Sequence, residues 1–415
     1  MLNGRTATVV IIGGGQSGLA MSQRLTERSI DHVVLERGDV ASSWMHQRWD
    51  SFTLLTPNWQ TTLPGLAYDG DDPDGFMTAA EISGFIKEYA LAVAAPVQLA
   101  TTVTAVRPAD GGYVVVTDQG PWQCRCVVMA SGASSLPSTP ACASALPDDI
   151  ESVDPLAYRN PDQLPAGGVL VIGAAATGIQ LADEIHASGR PVTLAVGEHV
   201  RMPRTYRGRD IQHWMEAIGR LDERYEAVEE ILKARAVASP QLIGTPQRRT
   251  LDLNHLTDSG VRLRGRLGGI RDGVAMFSGG LRNHCALADQ KLERLLEEID
   301  DWINAKGIDG DVDAAERFDT TRLEVGAPLT LDLSRGEINT VVWATGFRPD
   351  FSWLELPVFD EKGRLRHDGG VLDAPGVYFL GGTFLRRRKS SFIHGAADDT
   401  AELADHLVAH LAASV

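Results

Sequence analysis

The sequence predicts an α/β protein of two three-layer, doubly wound domains, the second inserted into the first. Three observations predict it. A unit of strand, glycine turn, helix and strand opens the chain; the same unit recurs with Gly173 standing 160 positions after Gly13; and apolar strands near Val127 and Val341 each run into a small-residue turn. With 415 residues, 43% of them hydrophobic, the chain can fill two or three ordinary cores.

The first unit is read from VVIIGGGQSGLAMSQRL, Val9 to Leu25. Thr8 to Ile12 is β-branched at every position, as a strand covered on both faces would be. In Gly13-x-Gly15-x-x-Gly18 the first glycine permits the tight turn, the second lets a pyrophosphate approach the backbone, and the third lets the helix pack close to the strand. A helix from about Gln16 to Arg28, with Gln16 and Ser17 in its first turn, then points free N–H groups at the phosphates. The strand His32 to Leu35 ends in Glu36, 18 residues beyond Gly18, where an acid that accepts the ribose hydroxyls belongs, with Arg37 beside it. These features in this order predict a bound dinucleotide; a turn that binds nothing is the plainer alternative.

The second unit, GVLVIGAAATGIQLADEI from Gly168, reads Gly173-x-Ala175-x-x-Gly178 with Thr177 inside it. Ala175 narrows the approach to the backbone, while the partner strand Pro191 to Val196 completes the βαβ grammar. Two sites imply two nucleotides, and the economical pair is a tightly held flavin, FAD, with a diffusible nicotinamide. The expected organisation is two Rossmann-like domains: residues 1–160 plus 336–415 for FAD, and 161–335 for NAD(P), with a helical insertion at about 205–310.

Four further segments carry a family resemblance. They are VVMASGA from Val127, TVVWATGFRPDF from Thr340, WMHQRWDSFTLLTP from Trp44 to Pro57, and GVYFLGGTFLRRRKSSFIHGAADDTAELADHL from Gly376. The chain resembles the class B flavoprotein monooxygenases, which include flavin-containing and Baeyer–Villiger monooxygenases, over nearly its whole length. The resemblance implies that Ala130, Ser131 and Gly132 line the flavin site and that Thr345, Gly346 and Phe347 form the linker between nucleotide domains. It also implies that Arg48 and Trp49 flank the flavin, that Trp44 covers its phosphate or ribose side, and that Asn58 brings a side-chain amide near its reacting edge. The last strand and helix would close over the flavin, with Ser391 at a helix cap and His394 donating to flavin or substrate. The implied reaction uses NADPH and O2 and passes through a C4a-peroxyflavin, placing one oxygen atom on a small organic substrate. At one point the chain departs from the family: its Phe-x-Gly-x-x-x-His fingerprint is replaced by SVDPLAYRNPDQLP from Ser152, which puts Asp154, Tyr158 and Arg159 in that place.

Beyond the second unit, GEHVRMPRTYRGRD from Gly197 gathers Arg201, Arg204, Arg207 and Arg209. A coenzyme 2′-phosphate needs cations there, so Arg201 or Arg204 is expected to hold it and NADPH to be preferred over NADH. Glu198 argues for NADH, and pairing of the arginines with the acidic helix that follows is the plain alternative.

The net charge of −16 and pI near 5.1 exclude a broad surface for nucleic acid or anionic membrane. The basic run Arg386 to Lys389 has no interleaved aromatic platform and does not change that. Cys124, Cys126, Cys142 and Cys285 form no C-x-x-C pair, no metal-binding pattern occurs, and no apolar span or leader is apparent. A soluble, unprocessed, cytoplasmic enzyme is expected. Helices near 210–235 and 284–304 are expected on the insertion, as surface helices, a lid or a surface for a second copy of the chain. Two other functions stay open: an NAD(P)H-dependent flavoprotein reductase serving a quinone or protein acceptor, and a redox sensor.

Overall fold

The computed structural model describes residues 5–413, which contain two parallel sheets, one at each glycine unit. The strands of these sheets are β1 (Val9–Ile12), β2 (His32–Leu35), β3 (Val97–Gln98), β4 (Cys126–Met129), β5 (Glu151–Val153), β6 (Gly168–Ile172), β7 (Val192–Val196), β8 (Arg262–Gly265), β9 (Ile338–Trp343) and β10 (Val377–Phe379). The helices used below are α1 (Gln16–Glu27), α2 (Ala79–Ala92), α3 (Ala176–Ala187), α4 (Leu281–Lys306) and α5 (Ala396–Ala413).

The first sheet runs β3-β2-β1-β4-β10, all parallel, and two short antiparallel strands extend it beyond β10. Every residue of β1 and β4 is buried, because both faces are covered. On one face α1 and α5 lay Met21, Leu25, Leu403 and Leu407 against Val9, Ile11 and Val128. On the other, a four-stranded sheet packs Val115 and Trp122 against Val10, Ile12 and Val127. α2 begins in a capping box, with Thr78 and Glu81 each satisfying the other's backbone N–H.

The second sheet runs β5-β9-β6-β7-β8, also parallel. α3 packs Ile179, Leu181 and Ile185 on one face, and a three-stranded sheet brings Ile270 and Phe277 to the other. The expected boundaries at 160/161 and 335/336 need correction, since β5 and β9 lie outside 161–335 yet pair in this sheet. The physical reason is symmetry: β9 stands to β6 as β4 stands to β1, and each supplies the small-residue turn that its neighbour's glycine turn packs against.

The expected helix over 210–235 is broken into Ile211–Ala217 and Ile231–Arg235, with two 3-10 turns between them. Gly219, at φ 74°, ends the first piece in the left-handed region. α4 is one helix of 26 residues whose buried positions Leu281, Cys285, Ala288, Leu292, Leu296, Ile299 and Ile303 keep helical spacing. Its latter half packs on Tyr206, Trp214 and Leu242. No helix among the described residues is long and apolar enough to cross a membrane.

Candidate functional site

Both glycine turns have the same construction. Gly13 (φ 113°) and Gly173 (φ 108°) lie in a region that side chains rarely adopt, and a Cβ on either would strike the carbonyl of Ala130 or Ala344 respectively. A Cβ on Gly18 or Gly178 would strike the carbonyl of Gly13 or Gly173, so these glycines seat α1 and α3 on their strands. At Gly15, by contrast, a Cβ would meet nothing within 4 Å. Gly15 and Ala175 are the N-caps of α1 and α3 in extended conformation, and neither helix end has a side-chain cap. Two sets of helix N–H groups therefore lack a side-chain partner, and those of α1 face open space beside Gly15, the arrangement that binds phosphate. Thr177 lies half-buried in the first turn of α3.

Around the first turn, Glu36 accepts hydrogen bonds from the N–H groups of Gly14 (2.7 Å) and Gly38 (2.9 Å), fixing its carboxylate at the strand end. Trp44 Nε1 donates to Gln16 Oε1 at 3.3 Å. Gly381, beyond β10, lies so close to the first turn that its Cβ would sit 3.0 Å from Ser17 Oγ. Gly13, Gly15, Gln16, Ser17, Gly18, Glu36 and Trp44 thus form one cradle, with Arg37 exposed at its rim.

Ala130-Ser131-Gly132 and Ala344-Thr345-Gly346 end β4 and β9. The chain leaving the first turn, Leu136–Pro137, pairs antiparallel with Phe347–Arg348 leaving the second. Thr345 Oγ1 donates to the Ser138 carbonyl (2.7 Å), and Ser138 N donates to that of Gly346 (2.9 Å). This ladder ties the two cradles together. Ser131 Oγ is buried there without a partner, and Gly346 (φ 96°) faces open space.

Arg48 lies over the rings of Trp44 and Phe52, 5.1 and 5.5 Å from their centroids, and its Nη1 donates to the Gln47 carbonyl. Burial pushes its guanidinium down to about 10. Trp49 departs from the expectation: it is 5% exposed and packs in the core of the second sheet with Tyr158 and Ile179, its ring edge-on to Phe52 at 5.1 Å. Arg159, in the segment that replaces the histidine fingerprint, braces this stretch by donating to the carbonyls of Arg48 (3.2 Å) and His46. Neither spacing nor composition signals that brace.

Asn58, 6% exposed, donates from Nδ2 to the Asp72 carbonyl (2.9 Å) and from its backbone N to that of Gly75 (2.9 Å). Its Oδ1 has no partner. His394 Nε2 is also buried and unpartnered, and burial, helped by Lys389, pushes the ring down to about 4, so it is neutral at neutral pH. Ser391 corrects a second expectation. It lies in the 3-10 turn Arg388–Ser391, ahead of α5, and Ser390 Oγ closes that turn by accepting from Arg386 N (3.0 Å) and Arg387 N (2.8 Å). Neither serine caps α5. The adjacent cations are engaged: Arg386 and Arg387 with Glu402, Arg388 with Glu223, and Lys389 with Asp222 and Asp398.

The arginine cluster is the largest correction. Arg201 pairs with Asp252 (2.7 Å) and Asp289 (2.8 Å), Arg204 with Asp210, and Arg207 with Asp300 and Asp309. Arg201 is 6% exposed and Arg204 0%. Their charge is neutralised inside the insertion, so neither is free to hold a 2′-phosphate. A run of arginines in an acidic chain finds carboxylates that folding brings from distant positions, two of them on α4.

The Cys124 and Cys126 thiols lie at the end of the first sheet opposite its glycine turn. Cys126 opens β4 at the end opposite its turn and Cys124 precedes it; burial pushes them up to about 11 and about 12. Cys285, on α4, is pushed up to about 12 by burial.

Residues 10–243 match the model of the pyridine nucleotide-disulphide oxidoreductase family. A Geobacillus kaustophilus protein described as an uncharacterized oxidoreductase, CzcO-like, is 28% identical over 405 residues, 97% of this chain and 98% of that protein. The rice indole-3-pyruvate monooxygenase YUCCA1 is 28% identical over 197 residues, 46% of this chain and 48% of that protein. A flavin-containing monooxygenase from Stenotrophomonas maltophilia shares the fold with a TM-score of 0.67 at 19% identity, covering 98% of this chain and 99% of that one. The family match spans more than half of the chain, including both glycine turns, and the chain belongs to the pyridine nucleotide-disulphide oxidoreductase family.

Proposed function

We propose that this oxidoreductase is an FAD- and NADPH-dependent monooxygenase acting on a small organic substrate. The cradle at Gly13, Gly15, Gln16 and Gly18 suits the FAD pyrophosphate, because the space above Gly15 is open and the α1 N–H groups are uncapped. Glu36 would accept the ribose hydroxyls. The cradle at Gly173, Ala175, Thr177 and Gly178 suits the nicotinamide coenzyme in the same way, narrowed by the Ala175 methyl. On this reading the FAD domain comprises the chain before β5 and after Phe347, and the coenzyme domain the part between.

Bound flavin would supply hydride acceptance and the activation of O2. The chain's own residues cover and orient it. Trp44 and Arg48 close one side, the ladder between Leu136–Pro137 and Phe347–Arg348 holds the coenzyme cradle in register, and burial around Asn58 and His394 keeps water out. Neutral His394, with Nε2 unpartnered, can exchange a hydrogen bond with a bound group, and Asn58 Oδ1 can accept one.

One observation favours oxygen chemistry over thiol chemistry: the turns of the two nucleotide cradles are joined by a short ladder beside the buried, unpartnered Ser131 Oγ, while the four cysteines are free and three of them are buried with thiols pushed up by burial. Monooxygenases named among its relatives support the same reading. Four free cysteines agree with a cytoplasmic location. The test is rapid mixing of the reduced protein with O2 at saturating NADP⁺. A slow return of the oxidised flavin spectrum through a distinct absorbance is expected. Direct return, with turnover strongly accelerated by a quinone or protein acceptor, replaces this reading with that of a reductase.

A further inference from the structure

With Arg201 and Arg204 withdrawn, a different set of groups meets the end of β7. β7 and β8 are paired to their last residues, Val196 against Gly265. Just beyond, Arg266 runs past Gly197, where a Cβ would be 3.6 Å from Arg266 Cγ. Arg266 is exposed, and among the described residues its side chain has no ion pair or hydrogen bond. The Arg266 carbonyl accepts from Ser278 N (2.9 Å), which brings the amino end of α4 to this edge. α4 has Gly280 as its N-cap, no side-chain cap and no acidic residue in its first turn.

Among the described residues, three buried polar atoms in or near that helix end lack partners: Ser278 Oγ, His284 Nδ1 and, beside His284 and Asp289, His199 Nε2. Positions around Gly280 show how close two of them lie, since a Cβ there would be 3.7 Å from Ser278 Oγ and 3.8 Å from His284 Cε1. His199 follows Gly197 and Glu198, is 4% exposed, and is held through Nδ1 at the Gly197 carbonyl (3.0 Å). Asp289, His284 and Arg201 all lie near enough for their charges to act on His199, and Asp289 and Arg201 are paired with each other. Buried polar atoms are rarely left unpaired, and an uncapped helix amino end beside a free guanidinium attracts an anion.

We propose that Arg266, His199, Ser278, His284 and the amino end of α4 form the subsite for the 2′-phosphate of the coenzyme. This rests on the assignment of the second cradle to a nicotinamide dinucleotide. That cradle receives the pyrophosphate at α3, the adenosine ribose reaches the end of β7 near Glu198, and a phosphate on its 2′-oxygen extends toward Arg266 and α4. The site selects for NADPH, with the exposed Glu198 opposing it from the rim.

Calorimetry on the flavin-loaded protein with adenosine 2′,5′-bisphosphate and adenosine 5′-monophosphate tests this directly. The bisphosphate should bind at least about tenfold more tightly, as expected for a charge-assisted contact. Arg266→Ala should remove most of that difference while leaving monophosphate affinity and the flavin spectrum unchanged. Equal binding of the two by the wild type overturns the subsite, as does an Arg266→Ala protein that keeps the full preference. If neither nucleotide binds to protein that retains its flavin, the coenzyme assignment of the second cradle fails, and the subsite with it.

Discussion

Gly178 packs so closely on Gly173 that a Cβ on the first would overlap the carbonyl oxygen of the second, and Gly18 stands in the same relation to Gly13. Gly15 is different, with open space where its Cβ would be.

The contrast predicts opposite phenotypes for Ala at neighbouring positions. Gly18→Ala should destabilise the apoprotein by about 1–3 kcal/mol, because backbone must shift to admit the methyl. Gly15→Ala should leave apoprotein stability near that of wild type, since its φ of −90° suits alanine, yet reduce flavin content. Thermal unfolding of both apoproteins, with flavin quantified by absorbance in the holoproteins, checks this. Full flavin occupancy in Gly15→Ala would remove the pyrophosphate from that position.

Arg204 is fully buried and paired with Asp210, which also accepts from Gln212 N to start the helix Ile211–Ala217. Arg204→Met strands that carboxylate and should destabilise by about 3–5 kcal/mol, while the ratio of NADPH to NADH affinity stays unchanged. Denaturant unfolding and coenzyme titration separate the two effects. A lost NADPH preference with unaltered stability would return Arg204 to the phosphate site.

These two cases mark how much the sequence reveals. The glycine turns were legible because each glycine answers to a local steric demand within a few residues, and the strand periodicity around them is equally local. Arg201 and Arg204 were not, since whether an arginine is free depends on Asp252, Asp289 and Asp210, two of which arrive only through the packing of distant segments. The depth of Trp49 is not legible from its neighbours either: Arg48 and Trp49 both pack on Phe52, yet Arg48 lies over Trp44 while Trp49 joins the core of the second sheet. The broken helix over 210–235 follows from Gly219, and β9 joins the second sheet by pairing that no local pattern encodes.

Glu402 accepts from Arg224, Arg387 and Arg386, which hold its carboxyl down to about 2 against an ordinary value of 4.5. A depressed carboxylate contributes stability that is fully present above its unfolded value and lost as pH falls through its folded one. Glu402→Gln should therefore lower the unfolding temperature at pH 7, with the gap from wild type constant down to about pH 5 and shrinking below it. A gap that widens on acidification would mean the carboxylate is not stabilised by these arginines. High salt should reduce the gap at pH 7, because Glu402 is partly exposed.

Asn58 joins a structural contact to the proposed chemistry, and its two amide atoms allow the roles to be separated. Nδ2 holds the Asp72 carbonyl, while Oδ1 is buried with nothing to bind. Asn58→Ala removes both, and loss of the first alone should destabilise by about 1 kcal/mol. If Oδ1 also serves the reacting groups, the fraction of NADPH consumption that ends as hydrogen peroxide should rise severalfold at saturating coenzyme. Asn58→Gln offers the same amide on a longer arm and serves as the comparison, because it can recover the loop contact from a displaced position. Peroxide yield high in both variants with stability restored in Asn58→Gln assigns Oδ1 a positioning role in the reaction. Peroxide yield that simply follows stability makes Asn58 a brace for the 72–75 loop and nothing more.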